Sequence, residues 1–154
     1  MDMLIMRQGS AQTAASSDRE RQLTAVGEAE VTSMANLLVR QGVNDPLVCH
    51  SHYTRARQSA AIMQQQLGGE SREYSELAPD RDPAIAVALL QGTEAPSVLC
   101  VAHQPLVGAM VNYLVDGDAA WGRPFATGAI ALLRCEFPGP AGASLVWYRE
   151  PGIG

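Results

Sequence analysis

The sequence predicts an α/β fold: a three-layer sandwich with a mainly parallel central sheet flanked by helices. Short apolar runs without polar alternation point to strands buried on both faces. They are Leu4-Ile5-Met6, Leu47-Val48-Cys49 and Val98-Leu99-Cys100-Val101-Ala102. Segments with apolar residues at helical spacing lie between them, the alternation that packs helices on a parallel sheet. The chain has 154 residues, 47% apolar and 18% charged, which suits one domain over residues 1–154 with a core of its own.

The elements follow in order. Leu4 to Met6 reads as the first strand, broken by Gly9 and Ser10, and a polar stretch from Ser10 to Gln22 reads as a loop. Thr24 is a cap for a helix that carries Met34, Leu37 and Leu38 on one face and stops at Gly42. Asn44-Asp45-Pro46 is a turn into the second strand, which ends at His50-Ser51. From Thr54 a helix places Ala56, Ala60, Met63 and Leu67 on one face, and Gly68-Gly69 ends it. Asp82-Pro83, a cap with proline at the first helical position, opens a short helix through Leu90. The central strand Val98–Ala102 runs straight into His103-Gln104-Pro105. Behind that proline a helix presents Leu106, Val107, Met110, Val111 and Leu114. Two last strands are expected over Ala129–Phe137 and Ser144–Tyr148, joined around Pro138-Gly139-Pro140.

Composition narrows the chemistry. All 11 basic residues are arginine, and 16 acidic residues leave a net charge of −5. Without lysine there is no Walker-type phosphate loop, no Schiff base and no lysine general base. The acidic balance argues against nucleic acid and anionic membrane as partners. Cys49, Cys100 and Cys135 are far apart in or beside apolar runs and read as buried hydrophobes. His50 and His52 flank one residue but have no acidic or cysteine partner nearby, so neither a metal nor any other cofactor is expected. Met1–Met6 lacks the basic stretch of a signal peptide, and no apolar run approaches the roughly 20 residues of a membrane span. The expected setting is the cytoplasm.

In such a sheet, ligands bind beyond the carboxyl ends of the strands. Those ends carry Arg7-Gln8-Gly9, then His50-Ser51-His52 with Arg55 one turn on, then His103 ahead of a helix N-terminus. Two arginines, an imidazole and a helix dipole on one rim suit a phosphate or another oxyanion, because guanidinium forks and amide N–H groups both donate to it. Each residue has a plainer reading too: a solvated arginine, a helix-capping His103, a structural His50. The remaining arginines read as surface charges.

The segments Leu4-Ile5-Met6-Arg7-Gln8-Gly9, Arg21-Gln22-Leu23-Thr24-Ala25-Val26-Gly27 and Ser51-His52-Tyr53-Thr54-Arg55-Ala56-Arg57-Gln58-Ser59 resemble, in order and spacing, the histidine phosphatase superfamily. So do Glu76-Leu77-Ala78-Pro79, Val101-Ala102-His103-Gln104-Pro105-Leu106-Val107-Gly108 and Phe125-Ala126-Thr127-Gly128-Ala129-Ile130-Ala131. The likeness is to its small SixA-type phosphohistidine phosphatases, and it implies a phosphoglycerate mutase-like fold. It also implies Arg7, Arg55 and, more weakly, Ser51 as phosphate-binding residues, with His103 binding phosphate and stabilising the transferring group. Glu76 falls where the family can offer a carboxylate near the pocket. The implied partner is a phosphohistidine-bearing signalling or phosphotransfer protein.

The sequence departs from that pattern twice. Gln8 stands where the family's Arg-His-Gly motif has its nucleophilic histidine. A glutamine amide nitrogen, its lone pair delocalised, cannot attack phosphorus. Two readings stay open: a phosphatase whose first motif was altered at Gln8, and a natural pseudophosphatase that binds phosphate or a phosphohistidine protein without hydrolysis. His52 follows Ser51 where the family commonly has proline. It reads as a surface histidine, with partial replacement of the nucleophile as the alternative. A flavodoxin-like or nucleotide-binding domain is disfavoured, since the Gly9 region lacks the further glycines of a phosphate loop.

Overall fold

A computed structural model describes residues 1–152. Its elements run β1 (Asp2–Arg7), α1 (Ala25–Arg40), β2 (Leu47–His50), α2 (Thr54–Leu67), β3 (Ser71–Glu73), α3 (Pro83–Gln91), β4 (Ser97–Ala102), α4 (Leu106–Asp116), β5 (Ile130–Cys135) and β6 (Ala143–Arg149), with one-turn helices at Asp18–Glu20 and Ser75–Leu77. The strands form one six-stranded sheet in the order β3-β2-β4-β1-β5-β6. β1, β2, β3 and β4 pair in parallel, while β5 runs antiparallel to both β1 and β6. The mixed α/β sheet with flanking helices is the fold class expected of the sequence.

The apolar runs serve two cores because successive strand side chains point to opposite faces. On one face Met3 and Ile5 of β1 and Val98 and Cys100 of β4 pack with Leu90 of α3 and with Leu106, Met110 and Leu114 of α4. On the other, Leu4 and Met6 of β1 and Leu99 and Val101 of β4 meet Val31, Met34 and Leu38 of α1 and Ala56, Ala60 and Met63 of α2. Burial of each larger side chain here contributes roughly 1.5–3 kcal/mol. Cys49 and Cys100 are buried in the first core as free thiols. Burial pushes the Cys49 thiol up to about 12, so it is inert.

Local signals set the element ends. Thr24 Oγ1 accepts from Gly27 N–H at 3.1 Å, and Asp82 Oδ1 accepts from Ala84 N–H at 2.9 Å. Gly27 is required by space: a Cβ there would lie 2.0 Å from Ser10 O, and one on Gly9 would lie 2.7 Å from Gly27 O. The chain leaving β1 is thereby seated directly on the first turn of α1.

Some boundaries differ from the expectation. β5 stops at Cys135 rather than Phe137, where Glu136 and Phe137 N–H turn to Gly142 O. β3 was not expected, because Ser71-Arg72-Glu73 has no apolar residue; pairing with β2 makes it a strand. The loop after β1 carries a bridge between Ala11 and Leu23 as well as the Asp18–Glu20 turn. Among the described residues, no helix is long and apolar enough to cross a membrane.

Candidate functional site

The parallel register brings three strand ends to one rim: Arg7 is level with Ala102, and His50 with Val101. Arg7 is the last residue of β1. Its N–H donates to Ala129 O at 3.1 Å and its Nη1 to Phe125 O at 2.7 Å. That carbonyl is itself held. The Phe125 ring packs edge-on to Tyr148 with centroids 5.2 Å apart, and Ala126 N–H donates to Tyr148 Oη at 3.0 Å. Gln8 is 6% exposed. Its N–H donates to Ala102 O at 3.0 Å and its carbonyl accepts from Gly128 N–H at 3.0 Å, so its backbone is clamped between β4 and the turn before β5.

Arg55 lies in the first turn of α2 and is 5% exposed. Nη1 donates to Asp18 O at 2.8 Å, Nη2 reaches Asp18 Oδ2 at 3.4 Å, and the guanidinium carbon sits 5.1 Å from the Tyr53 ring centroid. One turn on, Ser59 Oγ donates to Arg55 O at 2.8 Å and accepts from Gly9 N–H at 3.2 Å, tying α2 to the segment after Gln8.

His103 directly follows β4 and is 1% exposed; its carbonyl accepts from Val107 N–H at 2.9 Å in the first turn of α4. His103 Nε2 and Ser51 Oγ share a hydrogen bond of 2.5 Å, and Ser51 Oγ also accepts from Tyr53 N–H at 3.2 Å. The Tyr53 ring lies 5.0 Å from the His103 ring. Ser51 thus fixes the imidazole, and Tyr53 packs between it and Arg55.

Charge and burial explain how these groups titrate. Burial, then Arg55, pulls His103 down to about 3, with His52 and Arg7 adding to the effect and Asp18 opposing it. The imidazole is therefore neutral near pH 7. Burial, then the Arg55 charge, also lowers Arg7, while Glu30 and Tyr148 oppose. Arg55 is lowered by burial against the attraction of Asp18. Both guanidinium groups stay charged. Two neighbouring cations, Arg55 buried and Arg7 partly so, make a site whose potential an anion relieves.

Buried polar atoms usually have partners. Among the described residues, six buried side-chain N or O atoms have no hydrogen-bond partner. Five are Arg7 Nε, Gln8 Oε1, His52 Nδ1, Arg55 Nε and His103 Nδ1; the sixth is Gln91 Nε2. A half-turn of the Gln8 amide exchanges Oε1 for Nε2, so the amide can present either an acceptor or a donor.

The other residues considered from sequence fall as follows. His50 is structural: Nδ1 donates to Ser51 O at 2.9 Å and Nε2 accepts from Ser71 Oγ at 3.0 Å, joining β2 to β3. His52 is half-buried rather than on the open surface, its ring edge-on to Tyr53 at 5.1 Å. Glu76 lies in the turn after β3 and accepts from Ser75 Oγ at 3.3 Å; no hydrogen bond or ion pair joins it to Arg7, Arg55 or His103 among the described residues. Arg21 is no ordinary surface charge, since its Nη1 donates to Asp18 Oδ1 at 2.8 Å beside Arg55. Asp18, Tyr53 and Ser59 were missed. Their only sequence signal is position: Tyr53 and Ser59 flank Arg55 by one or two steps of chain or helix, and Asp18 opens an Asp-Arg-Glu-Arg run in an otherwise small-residue loop. Among the described residues, no group of three or more His, Cys, Asp or Glu is placed to hold a metal ion.

Comparison with known proteins identifies relatives along nearly the whole chain. No family model matches the chain. The phosphohistidine phosphatase SixA of Escherichia coli (strain K12) is 33% identical over 156 residues, covering 98% of this chain and 94% of that protein. The structure of the protein histidine phosphatase SixA complexed with tungstate superposes with a TM-score of 0.86 at 33% identity, covering 98% of this chain and 97% of that one. A SixA from Nakamurella multipartitia gives a TM-score of 0.83 at 26% identity, over 97% and 95% of the two chains. The fold alone extends to an α-ribazole-5'-P phosphatase of Escherichia coli, at a TM-score of 0.76 and 17% identity over 100% and 99% of the chains. With a strand-end cluster of arginines and a buried histidine on that fold, and a one-third identical relative along its whole length, the chain belongs to the SixA-type phosphohistidine phosphatases of the histidine phosphatase superfamily.

Proposed function

We propose that this single SixA-type domain receives the phosphoryl group of a phosphohistidine-bearing signalling or phosphotransfer protein between Arg7, Arg55 and His103, and holds it without turnover because Gln8 stands in the nucleophile's place. The observation that carries this reading is the cluster of buried, unpartnered polar atoms on Arg7, Gln8, Arg55 and His103. Desolvated groups of this kind persist where a ligand completes them. The tungstate held by the SixA relative supports an oxyanion as that ligand.

The two guanidinium groups bind the phosphoryl oxygens by charge-assisted hydrogen bonds. His103, neutral and oriented by Ser51, donates one more from its free ring nitrogen. In a covalent route, an imidazole nitrogen at position 8 would attack phosphorus as the substrate's own imidazole leaves. Gln8 closes that route, because its nitrogen lone pair belongs to the amide; its N–H instead donates to the bound oxyanion. Loss of a nucleophile lowers rates by on the order of 10⁴ to 10⁶. Glu76 has no step here, since the imidazole of a phosphohistidine leaves with little acid help. This reading carries with it the cytoplasmic setting expected of the sequence.

Calorimetric titration with tungstate or phosphate tests the site. The parent chain binds, and Arg7→Ala and Arg55→Ala each weaken binding by about 10- to 100-fold, the size of one charge-assisted bond. Unchanged affinity in either variant places the oxyanion elsewhere.

A further inference from the structure

Arg55, the arginine offered to the oxyanion, already holds a carboxylate. Asp18 takes Arg55 through its backbone carbonyl at 2.8 Å and through Oδ2 at 3.4 Å, while its other oxygen takes Arg21 Nη1 at 2.8 Å. The two carboxylate contacts are unequal. The short one goes to Arg21, three residues away on the same turn; the long one goes to Arg55. Asp18 is 59% exposed at its side chain and Arg55 only 6%, so the arginine is fixed and the aspartate is free to withdraw into water. The hydrogen bond to Arg21 first, opposed by burial and then reinforced by the charges of Arg55 and Arg21, holds the Asp18 carboxyl below the usual range, so it is ionised at neutral pH. Arg55 Nε, on the other edge of the fork, has no partner among the described residues.

We propose that Asp18 is an internal competitor for Arg55: a carboxylate that an entering oxyanion displaces, which weakens every oxyanion by the same factor, so that dianions stay bound at measurable affinity and monoanions do not. The inference rests on the proposed oxyanion site. A monoanion entering the fork replaces one negative charge with another and gains little. A dianion, such as a phosphoryl group bearing one substituent, brings a second charge to Arg7 and Arg55. On displacement the 3.4 Å contact breaks, Asp18 keeps Arg21, and the freed Nη2 joins Nε in facing the ligand. The one-turn helix Asp18–Glu20 therefore works as an electrostatic threshold, and Arg21 as the post to which the threshold is tied.

The test is a calorimetric titration of the full chain with tungstate, a dianion, and dimethyl phosphate, a monoanion, in the parent, Asp18→Asn, Arg55→Ala and the double variant. Asp18→Asn keeps the side-chain shape and the backbone carbonyl, and thermal unfolding verifies its fold. Asp18→Ala repeats the measurement with the carboxylate deleted. Asp18→Asn is expected to tighten tungstate by about fivefold to tenfold, the effect of one unit charge about 4 Å away under water-like screening, as suits the exposed Asp18 side chain. The same factor brings dimethyl phosphate into the measurable range. In the Arg55→Ala background the gain is lost, since nothing is left to compete for. Unchanged or weaker tungstate binding in both Asp18 variants overturns the inference, as does a full gain that persists without Arg55. Parent-like tungstate binding by Arg55→Ala alone refutes the oxyanion site itself, which separates the two failures.

Discussion

His103 shows how one residue ties the site to the stability of the chain. Folding holds its imidazole near 3, against 6.5 for an unperturbed histidine, so the unfolded chain takes up a proton first as pH falls. The folded pKa is depressed and the disfavoured form is the charged one. Stability is therefore complete above about pH 6.5 and falls as pH drops from there toward 3, by up to about 1.4 kcal/mol per pH unit. Denaturant titrations from pH 7 to pH 4 on the parent and His103→Gln isolate this contribution; coincident slopes contradict a buried neutral imidazole. Arg7 and His103 were legible in the sequence because each directly follows an apolar strand, and Arg55 because it opens a helix after another. Asp18, by contrast, meets Arg55 across 37 residues, and Ser59 meets Gly9 across 50. No local pattern encodes such meetings.

Among the elements, the junction of β1 with α1 positions the site most directly. Gln8 and Gly9 are pinned between β4, α2 and the first turn of α1, and the close approach of Gly27 to Ser10 O permits no side chain. Gly27→Ala is expected to cost about 1–3 kcal/mol, as overpacking does in a filled core, and to weaken oxyanion binding by shifting the segment behind Gln8. Chemical denaturation checks this, and a loss below about 0.5 kcal/mol contradicts the packing argument. Helices and buried strands were readable because caps and apolar spacing are local. β3 was not: an edge strand of Ser, Arg and Glu draws its identity from its neighbour, and His50 Nε2 with Ser71 Oγ marks that junction.

For the whole molecule, the layered α/β class followed from apolar runs that alternate with amphipathic helices, whereas the strand order did not. β4 enters between β2 and β1, which are consecutive in sequence, and β5 reverses direction on the far side of β1. That order places Arg7, Arg55 and His103, from three separate segments, on one rim. The likeness to SixA relatives covers nearly the whole chain, and the proposed lack of turnover rests on Gln8. The most direct test is the rate of phosphate release from a phosphohistidine protein, followed by 31P NMR, for the parent and Gln8→His. The parent is expected to release no phosphate above the buffer rate, and Gln8→His to exceed it by on the order of 10⁴ or more, as restoring a nucleophile should. A Gln8→His chain no faster than its parent, or a parent that already turns over at the variant's rate, contradicts the account.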